Sequence, residues 1–438
     1  MIRLLILFPL CYFFTNVPLP FIGSPEKLLA GALLVGSLCS LPFVPGDRGI
    51  DRALVGLFTL FVVVNLVSTI NSTVPLQDNW TALQSLLLKG ILVFLICRII
   101  QSPNDLLACL KSLVSLHAVI VVFAMGLILY FQDFFVLRDV MLGPFGEEIY
   151  AWSDHEWLKF LGYTLFKNPN TVSRVIIYIF PITYVLFLNS KRLIARSAYG
   201  SLLILSLLTV VGSVSRSGIL VLGAILILAA YKFRSKSVLI FLICGAVLVG
   251  WLYSSETLMT TRFEKLTAIE DETRYPLLLA ALASARERPL LGAGPGSNAF
   301  QSFIHSGLLD HAGNYIPGHN LYLNVLVENG IVGLVAFAAL LAGILLAIWP
   351  LGNAADEEVR QWGQAFQVFM LAFVLVSLFA PTFNENIFWF VVGLALSLKK
   401  LSGGKEPQPS RAESRPGLAS AGRALEPGLP TGSVRDTR

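Results

Sequence analysis

The chain has 438 residues, of which 55% are hydrophobic and only 13% charged. Soluble domains carry about 25% charged residues, so this composition excludes a soluble enzyme or a nucleic-acid-binding domain and defines an all-α polytopic membrane protein. The net charge of +5 is spread through short loops, so it reports topology and not a clustered anionic partner.

A helix that crosses a bilayer needs about 20 apolar residues, and about twelve windows in the chain qualify. They are 2–22, 27–44, 53–70, 82–100, 106–131, 171–189, 196–213, 217–231, 237–254, 321–349, 364–381 and 384–398. The first has only Arg3 as a basic end and no small-x-small cleavage site, so it is read as an uncleaved helix. Basic residues then set the orientation. With a cytoplasmic N-terminus, the inside loops hold Arg48 and Arg52; Arg98 and Lys111; Lys191, Arg192 and Arg196; Lys232, Arg234 and Lys236; Arg360; and Lys399 and Lys400. The short outside loops 71–81 and 380–386 hold neither Lys nor Arg. The expectation is a membrane domain over 1–401 with both termini in the cytoplasm.

Two loops are long, 132–170 and 255–320, and both fall outside. Loops of this length are usually functional. The first is aromatic and acidic. The second contains TRYPLLLAALASARERP, whose apolar spacing predicts a short amphipathic helix lying on the membrane surface. From 402 to 438 the chain is rich in Gly, Pro, Ser and Arg and reads as a disordered cytoplasmic tail.

The polar residues that interrupt this apolar background are the candidates for chemistry. Arg216 lies in GSVSRSGILVL, between two spans on the outer side. An arginine inside a span costs about 2.5–3.5 kcal/mol on insertion scales. It either snorkels to headgroups or binds an anion, for which Ser213, Ser215 and Ser217 supply hydroxyls and the guanidinium offers bidentate contacts to phosphate. His319 precedes the tenth window. Its unperturbed pKa suits proton abstraction near neutrality, although a histidine at an interface is also an ordinary solvated residue. Asn320 either orients it or caps the next helix, and Gly330 and Gly333 are expected to let helices approach closely.

Other features carry less. GAGPG (292–296) lacks the following Lys-Ser/Thr of a nucleotide loop and reads as a tight turn. Glu270-Asp271-Glu272 reads as a solvated loop. Arg274, Arg286 and Arg288 flank the surface helix and face lipid phosphate or a ligand. The five cysteines sit in or beside apolar runs without metal-ligand spacing, and His117 reads as a packing residue. No metal site is expected.

Four stretches together resemble the O-antigen ligase / O-antigen polymerase superfamily of bacterial envelope proteins: LFKNPNTVSRVIIYIFP (165–181), SVSRSG (213–218), TRYPLLLAALASARERPLLGAGPGSNAF (273–300) and GHNLYLNVLVENGIVGLVAF (318–337). Two spacings resemble the ligase branch, Arg216-x-x-x-Leu220 and His319-Asn320-x9-Gly330-x-x-Gly333. The resemblance implies an inner-membrane, metal- and cofactor-independent inverting glycosyl transfer on the periplasmic face. A glycan on undecaprenyl pyrophosphate passes to a hydroxyl of lipid A–core, or to a second lipid-linked repeat unit if the protein is a polymerase. It implies Arg216 on the pyrophosphate, with Ser215 and Ser217 beside it, and His319 as general base or acceptor-positioning group with Asn320. Arg274, ahead of Arg288, would stabilise the leaving group. A lipid-linked oligosaccharide transporter is the reading from another class. It predicts matched halves and charges near the midplane, neither of which the sequence has. Oligomeric state is not legible.

Overall fold

The computed structural model describes residues 1–14, 25–40, 51–131, 169–234 without 214, part of 237–250, 274–309, and 313–403 without 383–384. In chain order the helices are α1 (Ile2–Phe13), α2 (Pro25–Ser40), α3 (Arg52–Ser68), α4 (Leu76–Ile99), α5 (Pro103–Phe131), α6 (Pro169–Asn189) and α7 (Leu193–Gly212). They continue with α8 (Arg216–Phe233), α9 (Arg274–Glu287), α10 (Asn298–Ser306), α11 (Leu321–Ile348), α12 (Glu357–Val376) and α13 (Asn386–Gly403). An isolated bridge between Leu309 and Tyr315 is the β-structure among the described residues. The protein is an all-α polytopic membrane protein.

Among the described residues, eight helices, α3 to α8, α11 and α12, are long and apolar enough to cross a membrane. Window 2–22 contains α1, and windows 27–44 and 384–398 overlap α2 and α13. The window 237–254 falls largely outside the described residues, as do the loop 132–168, residues 251–273 and the tail from 404. Two helices begin well before their apolar windows, α4 at Leu76 and α12 at Glu357. Pro75 precedes α4 as its N-cap residue, and Asp356 caps α12 by accepting from Glu358 N and Val359 N at 3.0 and 3.2 Å. At α12 this side-chain cap carries the helix beyond the lipid-facing stretch, whereas Pro75 makes no capping bond.

α6 is the central helix, with 78% of its apolar window buried, packed against α5, α7, α8 and α12. In lipid there is little hydrophobic drive between helices, so tight packing and buried hydrogen bonds hold them. Tyr178 of α6 meets Phe369 of α12 edge-on at 5.5 Å, and Phe373 stacks on Phe388 of α13 at 3.5 Å. His117 is fully buried as expected, bonded to Thr183 Oγ1 at 2.8 Å and Ser206 Oγ at 2.6 Å, which joins α5, α6 and α7.

α9 is apolar on both sides. Leu277, Ala280, Ala281 and Ser284 form a buried stripe on the side packed against α10 and α11. Tyr275, Leu278, Leu279 and Leu282 are exposed. The sequence predicts one apolar face turned to lipid. The structure has a second one, because alanine and serine at helical spacing let α9 settle closely onto its neighbours.

Candidate active site

The polar candidates collect at one end of the bundle. Leu321 N, at the start of α11, donates to Ser377 O at the end of α12 (2.9 Å), and Tyr322 Oη donates to Val374 O (3.0 Å). Ser215, at the start of α8, bonds Asn170 at the start of α6 (2.7 Å). Arg174 in the second turn of α6 pairs with Glu385, immediately before α13 (2.7 Å). The basic loop residues gather at the opposite end, where Lys399 bonds Asp51 at 3.0 Å and Lys400 bonds Cys97 O at 2.9 Å.

The turn between α7 and α8 is tightly made. Ser215 is the N-cap of α8: its Oγ accepts from Gly218 N at 3.2 Å and donates to Asn170 Oδ1 at 2.7 Å. Ser213 and Ser173 share a hydroxyl contact of 2.6 Å. A Cβ on Gly218 would come within 2.9 Å of Ser173 Cβ, so glycine is needed where α8 crosses α6. Arg216 opens α8 half-buried, beside the α6 turn that carries Arg174. Ser217 Oγ lies 3.4 Å from Ser215 Oγ. Ser215 is therefore committed to holding the turn, which leaves Ser217 as the hydroxyl next to Arg216.

His319 sits in the bend before α11, between Gly318 and the N-cap Asn320. Asn320 Oδ1 accepts from Tyr322 N at 2.9 Å and Leu323 N at 3.1 Å, so of its two sequence readings the structure displays the cap. Gly318 has to be small: a Cβ there would lie 2.4 Å from Asn324 Oδ1. Desolvation, then the positive charges of Arg274 and Arg174, hold the His319 imidazole below its ordinary pKa. The residue is still exposed to solvent, so repulsion by the guanidiniums is the contribution that removing a charge will read. His319, Arg274 and Arg174 thus share one electrostatic neighbourhood.

The loop carrying GAGPG is a tight turn, as read from sequence, and it does more than turn. Gly292, Gly294 and Gly296 all have positive φ. Ala293 N donates to Val327 O (2.8 Å) and Gly294 N to Glu328 O (2.9 Å), while Ile331 N donates to Pro289 O (2.8 Å) and Val332 N to Leu290 O (3.3 Å). α11 is broken between these bonds, at Gly330, with φ 63° and ψ −166°. The loop supplies partners for main-chain groups that the break takes out of the helix ladder. A Cβ on Gly330 would lie 2.2 Å from Leu290 O. Gly330 therefore serves a backbone kink, where the sequence suggested close helix approach. Gly333 does face α3, with Val64 Cγ1 at 3.7 Å from a built Cβ.

Arg288 donates from Nη1 to Asn71 O, tying the loop to the turn between α3 and α4. That contact suits a tether between the loop and the turn. Sequence reasoning passed over Arg174 and Glu385. Arg174 lies in the quoted stretch TVSRVIIYIF and meets the same criterion as Arg216, an arginine in an apolar run. Its partner, 211 residues away, has no local signal. Burial pushes the Glu385 carboxyl up against the opposing pull of Arg174.

These features define a class: a helical membrane protein with a histidine and several guanidiniums assembled at one end of its bundle. Residues 201–338 match the family model described as O-antigen ligase, so this stretch of the membrane domain is similar to that family. The matched stretch contains Arg216, Arg274, Arg288, His319 and Asn320. No curated protein matches the chain.

Proposed function

We propose that the protein is a metal-independent, inverting glycosyltransferase of the ligase type. It would transfer a glycan from undecaprenyl pyrophosphate to a sugar hydroxyl of lipid A–core. The observation that carries this is the shared neighbourhood of His319, Arg274 and Arg174 at the end of the bundle where α6 and α8 begin. In the proposed step the acceptor oxygen attacks the anomeric carbon and the bond to the pyrophosphate oxygen breaks. His319 takes the acceptor proton, and undecaprenyl pyrophosphate leaves with the bonding electrons. A direct displacement inverts the anomeric centre. The lowered pKa of His319 keeps it neutral and able to accept a proton near pH 7. Arg216 and Ser217 bind the pyrophosphate, and Arg274 stabilises its growing charge. Arg174, anchored by Glu385, orders the site from behind. Arg288 and Ser215 maintain the loop and the turn.

The arrangement we propose has twelve spans in the bacterial inner membrane, with both termini cytoplasmic and the site periplasmic. A polymerase would run the same step with a second lipid-linked repeat unit as acceptor. Single-turnover transfer in liposomes separates the two. Product on lipid A–core, abolished by Arg216→Ala and His319→Ala in folded protein, is the expected result. Losses of about 10²–10⁴-fold are typical when a general base is removed. Longer lipid-linked chains without lipid A–core would make it a polymerase, and full activity in both variants would reject the site.

A further inference from the structure

Beside this cationic site is a cleft of different character. It has a volume of about 510 Å³ and lies between α3, the start of α4, the 289–297 loop and the first half of α11. That is within the range of about 300–1,000 Å³ that small-molecule sites occupy. Its polar lining includes Asn65, Asp78, Ser85, Asn298, Asn324 and Glu328. No Lys or Arg is among the described residues that line it. Pro317 and Leu321 also line it, and they bracket His319 in sequence.

We infer that this cleft is a subsite for the neutral, hydroxyl-rich sugar of the acceptor, held next to His319. The inference rests on the transferase reading and gives it a second substrate position. The chemistry of the lining decides between occupants. With no Lys or Arg among the described residues of the lining, and the nearby Lys89 already donating to Ser85, a pyrophosphate beside Asp78 and Glu328 is disfavoured. A hydrocarbon chain would strand amides and carboxylates without partners. Vicinal sugar hydroxyls each offer a donor and an acceptor, which suits a wall of amides and carboxylates.

Behind the lining, Asn298 Oδ1 and Asn324 Oδ1 are buried without a hydrogen-bond partner among the described residues. Both lie against Gly318, where a Cβ would come 2.4 Å from the Asn324 oxygen and 3.2 Å from the Asn298 oxygen, so the wall of the cleft closes on polar groups next to His319. Other groups are already fixed, which makes the wall rigid. Asn65 Nδ2 donates to Phe61 O at 2.8 Å. Ser85 Oγ accepts from the buried Lys89 at 2.7 Å. The Glu328 carboxylate accepts from Gly296 N and Asn298 N. Separation of the two substrates by charge follows directly: the guanidinium neighbourhood takes the pyrophosphate, and the amide cleft takes the acceptor sugar.

The test uses the purified full-length protein in detergent and a neutral core oligosaccharide stripped of lipid A, with binding and transfer measured separately. Wild type should bind the oligosaccharide, and inorganic pyrophosphate should not displace it. Asp78 is exposed at the start of α4, so Asp78→Ala should fold normally and weaken binding about 10-fold, the equivalent of one lost hydrogen bond. Asn65→Leu should do the same by a shape-conserving route. No binding to wild type, equal binding to all three proteins, or displacement by pyrophosphate would each overturn the subsite. If the binding pattern holds and no transfer occurs to any acceptor, the transferase reading fails and the subsite stands. If transfer occurs with the same acceptor KM in wild type and Asp78→Ala, the subsite fails and the transferase reading stands.

Discussion

The turn that opens α8 and the loop that enters α11 lie at the same end of the molecule, yet they are held together differently. The turn is knitted by side chains: Ser215 to Asn170, Ser213 to Ser173, and Gly218 packed between them. The loop is knitted by main chain, with four N–H···O bonds spanning the break at Gly330. Side-chain bonds can be deleted singly at modest cost. Main-chain bonds across a kink depend on one backbone conformation, and all fail together if that conformation is lost. Changes in the loop should therefore act on folding, and changes in the turn on fine positioning.

Gly330→Ala is the strongest test of this contrast. A non-glycine residue at φ 63° and ψ −166° occupies a region that is essentially glycine-only and costs about 1–3 kcal/mol before any clash. The new Cβ would also meet Leu290 O. We expect loss of most folded protein, read by yield and thermal unfolding in detergent. A normal melting profile would mean the loop does not depend on the kink.

Ser215→Ala should do much less. It removes one N-cap bond, worth about 1 kcal/mol, and withdraws a donor from Asn170. The protein should fold, melt slightly earlier and retain transfer. Activity lost as completely as in Arg216→Ala would move Ser215 from the scaffold to the substrate.

The smallest effect is a change of position on the pH axis. His319 has its pKa lowered, and Arg274 contributes to that by repelling the imidazolium. Removing the charge with Arg274→Gln should raise the His319 pKa, so a higher pH is needed to keep the base neutral. The acidic limb of the pH–rate profile should move upward, measured on whatever residual activity remains. A limb that stays in place would put Arg274 out of electrostatic reach of His319.

Most of the helices were legible because a bilayer imposes a coarse rule: an apolar run long enough to cross must be helical. α3 and α5 to α8 match their windows closely. Asn320 was legible as a cap from its position before an apolar helix. The break at Gly330 was not, since hydropathy continues unbroken through NGIVGLVAF and reports burial, not backbone direction. α9 was half legible: its leucines announced a lipid-facing side, but the buried Ala-Ala-Ser side reads as polar or neutral in sequence. The candidate site divides in the same way. Arg216, Arg274 and His319 stand out as polar groups in apolar or motif settings. The Arg174–Glu385 pair and the amide cleft arise only when distant segments meet, and no local pattern encodes them.

The break in α11 also acts as a depth gauge. Ile331–Ile348, the part after the kink, rises about 27 Å at 1.5 Å per residue, close to the roughly 30 Å of a hydrocarbon core. With Ile331–Ile348 set across the hydrocarbon core, Leu321–Asn329 would stand above the lipid as a short post. Gly330 would then fall near the level where headgroups begin, with the loop bonded there at a fixed height. A substrate anchored by its lipid tail would bring its first sugar–phosphate linkage to that height without being lifted from the bilayer.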